Sequence, residues 1–177
     1  GTGQMAEIVG NLKDFSRLDR SKETSFNVNE GLESTLALAR HLMKSITVNK
    51  HFGDIAPVVC SPSQINQVFL NLLTNAAQAM KDGRGEITLT TRNVGDGVAI
   101  DVADNGAGIA PEVLPKIFDP FFTTKDIGQG TGLGLSISYK IVAQHGGRID
   151  VESKAGSGTR FTVWLPLKPP AQTGPAA

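Results

Sequence analysis

The sequence has few of the residues that build a covalently stabilised or membrane-embedded fold. Its single cysteine, Cys60, excludes a disulfide framework and a four-cysteine zinc site and is typical of a reducing compartment. No apolar run approaches the roughly 18 residues of a membrane span, and no signal-peptide pattern opens the chain, so we expect a soluble, cytoplasmic protein. Lysine and arginine number 17, as do aspartate and glutamate, so the charge predicts no nucleic-acid partner.

Glycine is the residue in surplus. The chain has 20 glycines among 177 residues, and ten of them lie between Gly106 and Gly158. This share exceeds the roughly 7% of ordinary proteins, and its concentration in one part of the chain requires a local cause. With 40% hydrophobic residues, a chain of this length can bury the core of one domain and carry a short extension.

The hydrophobic pattern predicts an α+β fold, a two-layer sandwich with a mixed sheet and helices on one face, preceded by an N-terminal helix. Asn29 is the expected N-cap of the first domain helix, and Ser61 to Gln64 form a predicted capping box at the next. The predicted helices span residues 29–44, 62–80 and 131–144, and the predicted strands 26–28, 46–52, 57–60, 86–92, 98–103, 148–152 and 159–165.

The domain boundaries follow from composition. Residues 1–18 carry one apolar helical stripe, which packs either on the chain's own domain or, in a dimerisation helix, on a partner. Residues 19–25 are a predicted linker, 26–166 the domain, and 167–177 a proline-containing tail that we expect to be disordered. After Asp104 the regular pattern stops for nearly thirty residues, apart from a short helical piece near 111–117, and such a connection is usually functional.

Two asparagines lie on one face of the helix predicted for residues 62–80. Asn71 and Asn75 are four residues apart and flank the apolar stripe. Asparagine is a mediocre helix former, and its amide oxygen is a good ligand for a hard cation such as Mg²⁺. The pair therefore indicates either a metal site or a hydrogen bond between two helices.

Asp104 ends a predicted strand and precedes a glycine-containing turn, Asn105-Gly106-Ala107-Gly108-Ile109. It shares the parity of Val98, Ile100 and Val102, so its carboxylate is expected on the buried side of the sheet, where it needs hydrogen-bond donors. The exocyclic amine of a purine is one such donor. The alternative is an ordinary turn built by Asp-Asn-Gly.

The third motif, Gly128-Gln-Gly-Thr-Gly-Leu-Gly134-Leu135, runs directly into a predicted helix. Exposed backbone N–H groups at a helix N-terminus form a phosphate-binding site. No lysine follows the glycines, so this is not the loop of P-loop enzymes. Together with the asparagine pair and Asp104, it indicates one nucleotide site.

Four segments resemble, in order, the N, G1, F and G2 boxes of sensor histidine kinases, a resemblance that extends from about Phe26 to Pro166. These segments are Asn71-Leu-Leu-Thr-Asn75-Ala, Asp104-Asn-Gly-Ala-Gly108-Ile, Phe118-Asp-Pro-Phe-Phe-Thr-Thr-Lys125 and Gly130-Thr-Gly-Leu-Gly-Leu135. The resemblance implies the Bergerat-type ATP-binding fold shared with gyrase, Hsp90 and MutL. It also implies ATP and Mg²⁺ as cofactors.

The resemblance implies a role for each motif residue. Asn75 would bind Mg²⁺, Asn71 would contact the phosphate–Mg²⁺ group, and Asp104 would bind the adenine amine. Residues 109–131 would form the mobile ATP lid, from which Lys125 would reach the phosphates, so Asn71 and Lys125 are the predicted catalytic residues. The remaining predicted nucleotide-binding residues are Gln78, Ala79, Gly106, Gly108, Ile109, Phe118, Thr123, Gly130, Thr131, Gly132, Leu133, Gly134, Leu135 and Thr159. At Gln78 and Ala79 many relatives carry a basic and an aromatic residue.

The lid is also predicted from the aromatic residues. Phe118, Phe121 and Phe122 fall within five positions and are flanked by glycines that can act as hinges. Two interpretations of these rings are compatible with each other. The rings can form a small satellite core, and they can dock on a neighbouring helix when the lid closes.

The residue four positions before Asn75, the predicted Mg²⁺ ligand, differs between the classes of enzyme in this superfamily. The ATPases and serine kinases have a glutamate there as the base, whereas this chain has Asn71, whose amide cannot accept a proton at neutral pH. The sequence therefore favours a histidine kinase. The alternatives are a nucleotide-gated interaction module without phosphotransfer and, less favoured, an ATPase.

The acceptor histidine of that family is followed by Glu or Asp, and no histidine here fits. His41 and His51 lie in a solvated helix face and a strand, and His145 lies at a helix C-terminus, where its charge is favourable. We therefore expect the acceptor upstream of residue 1, on a dimerisation domain of which residues 1–18 are the end. The implied partners are that histidine, a response-regulator receiver domain and a second copy of the chain, in a cytoplasmic protein or the cytoplasmic part of a membrane-bound sensor.

Overall fold

The computed structural model describes residues 23–80, 84–118 and 134–168. Their main elements are seven strands, β1 to β7, and three α-helices, α1 to α3. The strands are Thr24–Phe26, Ile46–Phe52, Val58–Cys60, Gly85–Val94, Gly97–Asp104, Arg148–Lys154 and Gly158–Pro166, and the helices are Val28–Leu38, Pro62–Gln78 and Gly134–Gln144. The helix predicted within residues 1–18 lies outside the described residues.

Five strands form one mixed sheet in the order β2-β4-β5-β7-β6. Strands β2 and β4 are parallel and the other neighbours antiparallel, while β1 and β3 form a separate antiparallel pair. Alternate residues of the central strands, including Ile100 and Val163, are buried against Leu32, Phe69 and Ile141 of the helices. The predicted α+β sandwich with a mixed sheet and helices on one face is confirmed.

The opposite face of the sheet is polar. Asp101 lies at its centre, accepts a hydrogen bond from Thr162 Oγ1 at 2.6 Å and lies 3.5 Å from the guanidinium of Arg92. Because successive strand residues point to opposite faces, Asp104, three positions further along the same strand, lies on the helix side.

The predicted N-cap of the first domain helix is wrong. Helix α1 begins at Val28 with Asn27 as its N-cap, whose side chain accepts from the N–H of Glu30. The predicted cap, Asn29, instead donates to Gly53 O and accepts from Thr91 Oγ1. A buried threonine across the core is a better partner for Asn29 than the adjacent helix end.

The boundaries of the predicted helix and tail also shift. Helix α1 stops at Leu38 and is followed by a 3₁₀ turn, Arg40–Met43, rather than continuing to residue 44. At the other end, Leu167 belongs to the folded chain, not to the tail. Its carbonyl accepts from the N–H of Val59 at 2.7 Å, and its N–H donates to Asp96 O at 2.9 Å. The backbone of Leu167 therefore binds both β3 and the turn between β4 and β5.

The predicted capping box at α2 does not form, although Ser61 is the N-cap and Pro62 the first helical residue. In such a box the Gln64 side chain would bind the N–H of Ser61. That N–H instead donates to Nε2 of His145 at 3.1 Å, and Nδ1 of the same ring lies 2.8 Å from Ile141 O. In this arrangement Nε2 accepts with its lone pair and Nδ1 donates to the carbonyl of Ile141.

His145 joins the start of α2 to the end of α3, and we predict that His145→Ala lowers the free energy of unfolding by about 2–4 kcal/mol. The ring is 3% exposed, and its loss leaves the buried N–H of Ser61 without its acceptor and opens a cavity. Urea denaturation measures the effect, with His51→Ala, at an exposed position of β2, as the matched control. Equal losses of stability in the two variants would contradict the prediction.

Candidate nucleotide-binding site

Asp104 lies at the end of β5 with its side chain on the helix side of the sheet, as its parity predicted. Its Oδ1 accepts a hydrogen bond from the N–H of Gly106 at 2.8 Å. Burial raises the pKa of this half-buried carboxyl, and the N–H groups of Gly106 and Thr159 act in the opposite direction. The site thus presents a partly desolvated acceptor, which suits a ligand with a polarised N–H group.

Asp104, Thr159 and Ser153 lie side by side on three neighbouring strands. Asp104 pairs with Thr159 across β5 and β7, and Thr159 pairs with Ser153 across β7 and β6, so the three side chains share one face. Ser153 Oγ lies 2.7 Å from Thr159 Oγ1. Ser153 is absent from the site residues predicted from the sequence because the predicted strand, residues 148–152, stops one residue short of it; in the structure β6 continues to Lys154.

The turn after Asp104 is held by backbone on both sides. The N–H of Ala107 donates to Ala79 O at 3.0 Å, and its carbonyl accepts from the N–H of Gly156 at 2.6 Å. Gly106 lies so close to the end of α2 that a Cβ there would meet Ala79 O at 2.6 Å. The turn therefore bridges the end of the asparagine-bearing helix and the β6–β7 hairpin.

Gly108 and Ile109 anchor the far end of this turn. Gly108 has a φ of +75°, and a Cβ on it would overlap the carbonyl oxygen of Lys154. The N–H of Ile109 donates to Ser153 Oγ at 2.7 Å. Both residues therefore contact the hairpin through their backbone, which places the start of the predicted lid beside Thr159.

Helix α2 carries the asparagine pair. Asn71 Nδ2 donates to Ser138 Oγ of α3 at 3.0 Å, and its Oδ1 accepts from Gln67 at 2.9 Å. The helix–helix hydrogen bond that the sequence left open for this pair is thus present at Asn71. Asn75 lies half-buried one turn further along.

The other two predicted residues of α2 differ in exposure. The side chain of Gln78 is exposed, and Ala79 is the half-buried C-cap of the helix. The carbonyl oxygen of Ala79 binds the N–H of Ala107 in the turn after Asp104.

Part of the predicted lid and phosphate loop lies within the described residues. The ring of Phe118 packs 5.3 Å from the ring of Tyr139 on α3 and 6.4 Å from that of Phe161 on β7, measured between centroids. Helix α3 begins at Gly134 and continues through the half-buried Leu135. The predicted site residues outside the described residues are Thr123, Lys125, Gly130, Thr131, Gly132 and Leu133.

The described residues contain neither a cluster of metal-ligating side chains nor a membrane-spanning helix. Within residues 23–80, 84–118 and 134–168, no three His, Cys, Asp or Glu side chains form a group that could hold a metal ion. In the same part of the chain, no helix is long and apolar enough to cross a membrane.

The chain belongs to the family of histidine kinase-, DNA gyrase B- and HSP90-like ATPases, whose model matches residues 60–169. It is 40% identical to the sensor kinase CckA of Brucella abortus over 178 aligned residues, 91% of this chain and 19% of CckA. It is 43% identical to the sensor histidine kinase ZraS of Escherichia coli K12 over 144 residues, 81% of this chain and 30% of ZraS. The chain therefore spans less than a third of either relative.

Solved structures give the same assignment. The catalytic domain of histidine kinase ThkA superposes with a TM-score of 0.74 at 35% identity, covering 84% of this chain and 97% of that domain. A structure of ThkA in complex with the response regulator protein TrrA superposes with a TM-score of 0.70 at 29% identity, over 95% of this chain and 49% of that one. The prediction of a histidine kinase ATP-binding domain, made from the four motifs, is confirmed, and ATP is the nucleotide of this family.

Proposed function

We propose that this chain is the catalytic part of a sensor histidine kinase that transfers the γ-phosphoryl group of Mg·ATP to a histidine on a dimerisation domain. The observation that carries the proposal is the half-buried Asp104 carboxylate beside Thr159 and Gly106 in a chain of this family. Bound Mg·ATP would supply the phosphoryl group. The task of the protein would be to position the reactants and neutralise charge.

The residues present fit ATP. Asp104 would accept a hydrogen bond from the adenine amine, and the turn from Gly106 to Ile109 would form the adjacent backbone wall. Burial makes this carboxylate a poorly hydrated acceptor, which favours a hydrogen bond to a ligand over one to water. The amides of Gly130 to Leu135, leading into α3, would bind the phosphates at the positive end of the helix dipole.

The residues of α2 also fit a hard cation bound to phosphate. Asn75 would supply one amide oxygen, and the phosphates and water would supply the remaining oxygen ligands that Mg²⁺ prefers. Asn71 would contact the phosphate–Mg²⁺ group, which requires it to share or exchange its bonds to Gln67 and Ser138. Lys125 and Thr123 are proposed to contact the phosphates from the lid.

Asn71 supports histidine as the acceptor rather than water. Neither atom of its amide can take a proton at neutral pH, so the chain lacks at this position a base to activate water or a serine hydroxyl. An imidazole nucleophile needs less activation. We therefore expect steady ATP hydrolysis by this chain to be negligible.

The proposed partners follow from the same assignment. They are the acceptor histidine of a dimerisation domain in the same protein, a second copy of that protein, and the receiver domain of a response regulator. The ThkA structure with the response regulator protein TrrA supports the last of these. We place the protein in the cytoplasm or on the cytoplasmic side of a membrane-bound sensor.

The test is to incubate the chain with Mg²⁺ and γ-labelled ATP, alone and with a dimerisation hairpin that carries the acceptor histidine as a separate protein. We expect saturable ATP binding, no labelling of the chain itself, and an acid-labile phosphate on the hairpin. Binding of ATP without transfer would instead support a nucleotide-gated interaction module. Steady release of inorganic phosphate without the hairpin would support an ATPase.

A further inference from the structure

The hydroxyl group of Ser153 is the centre of a small network beside Asp104. Its oxygen accepts from the N–H of Ile109 at 2.7 Å, donates to Gly158 O at 3.0 Å and lies 2.7 Å from Thr159 Oγ1. It thereby connects three segments of the candidate site: the turn after Asp104, strand β6 and the start of β7. None of the roles assigned above uses this group.

A count of hydrogens favours one direction for the bond between the two hydroxyl groups, although either could be the donor. A serine hydroxyl has one hydrogen and two lone pairs, and Gly158 O can only accept from it. The arrangement that satisfies all three contacts of Ser153 therefore uses the threonine hydrogen in the short contact with Thr159. In that arrangement Thr159 Oγ1 has only lone pairs left for a ligand, and a 6% exposed residue has little water to reorganise it.

We propose that Ser153 is a positioning residue that holds Thr159 as a hydrogen-bond acceptor and so favours adenine over guanine nucleotides. This inference rests on the proposed function, because it assumes that the purine binds beside Asp104. Thr159 and Asp104 are cross-strand neighbours, so they present two acceptors side by side. The exocyclic amine of adenine can donate a hydrogen bond to each of these acceptors. The O6 carbonyl of guanine is itself an acceptor and would be repelled by both.

Removal of the serine hydroxyl frees the threonine hydrogen. In Ser153→Ala, Thr159 can rotate and donate to a guanine O6, so the Kd for ATP rises while that for GTP falls or is unchanged. We expect the ratio of the GTP Kd to the ATP Kd, measured by isothermal titration calorimetry, to fall about 5- to 10-fold, as for the loss of one hydrogen bond in a buried site. If Ser153 had only a structural role, the substitution would weaken the binding of ATP and GTP by the same factor and leave the ratio of their Kd values unchanged.

Three further variants make the test specific. Ser153→Thr keeps the hydroxyl and should restore the ratio, and Ser157→Ala, an exposed position in the same hairpin, should not change it. Thr159→Val should lower the ratio by itself and abolish any further effect of Ser153→Ala, which also keeps the proposal testable if the serine variant does not fold. An unchanged ratio in Ser153→Ala, or equal effects of that substitution in the wild-type and Thr159→Val backgrounds, would overturn the inference. If the wild-type chain binds neither nucleotide, the proposed function itself fails.

Discussion

Asp104→Asn should lower the affinity for ATP by about 100-fold without lowering the stability of the protein. The carboxylate is the proposed acceptor for the adenine amine, and an amide that keeps its oxygen on the N–H of Gly106 would turn its NH₂ group toward the ligand. Donor then faces donor, and the loss of a charge-assisted hydrogen bond costs on the order of 2–3 kcal/mol, which corresponds to about 100-fold in Kd.

The stability of the same variant follows from the pKa of Asp104. Burial raises this pKa in the folded state, so the folded chain binds the proton more tightly than the unfolded chain does. The stabilisation linked to this proton is present at low pH and is lost as the pH rises through the raised pKa. The amide introduced by Asp104→Asn cannot ionise, so the free energy of unfolding of the variant, relative to wild type, should increase from about pH 4 to pH 7.

The matched control is Asp101→Asn, on the same strand but on the opposite face of the sheet. Its carboxylate binds Thr162 and Arg92 and should have no effect on ATP affinity. Calorimetric titration gives the affinities, and urea denaturation at several pH values gives the stabilities. Equal losses of ATP affinity in the two variants, or a marked loss of stability in Asp104→Asn at pH 7, would contradict the assignment.

The sequence predicted the parts of the site that depend on periodicity. The alternation of Val98, Ile100 and Val102 placed Asp104 on the helix side of β5, and the helical spacing of Asn71 and Asn75 placed both on one face of α2. Each of these rests on geometry within a single element, which the chain encodes locally. The resemblance to the four boxes then assigned each of these segments a role in one predicted nucleotide site.

The parts that the sequence did not predict depend on contacts between distant segments. His145 and Ser61 are 84 residues apart, yet their hydrogen bond replaces the predicted capping box. Asn29 binds Gly53 and Thr91 rather than capping its own helix, because the fold brings a buried acceptor and donor to it. The local sequence shows which hydrogen bonds a side chain is able to make. The tertiary fold determines which of these bonds it makes, because it sets which partners lie within reach.

Gly108→Ala should lower the free energy of unfolding by about 3 kcal/mol or more, whereas Gly156→Ala should cost about 1 kcal/mol. Both glycines have a positive φ, +75° and +84°, so any L-residue incurs a backbone penalty at either position. Only at Gly108 would the new Cβ also overlap a neighbouring group, the carbonyl oxygen of Lys154; at Gly156 nothing lies within 4 Å. The difference between the two variants therefore isolates the steric part.

This steric part is large because the turn cannot move away without losing its anchors. Displacement of residue 108 from the hairpin would break the bond from Gly156 to Ala107 O and the bond from Ile109 to Ser153 Oγ, each worth about 1 kcal/mol. Urea denaturation of the two variants gives the comparison, and ATP titration should show a greater loss of affinity in Gly108→Ala, because the same bonds hold the wall beside Asp104. If both variants lose the same stability, the turn is free to shift, and it does not hold the start of the lid against Thr159.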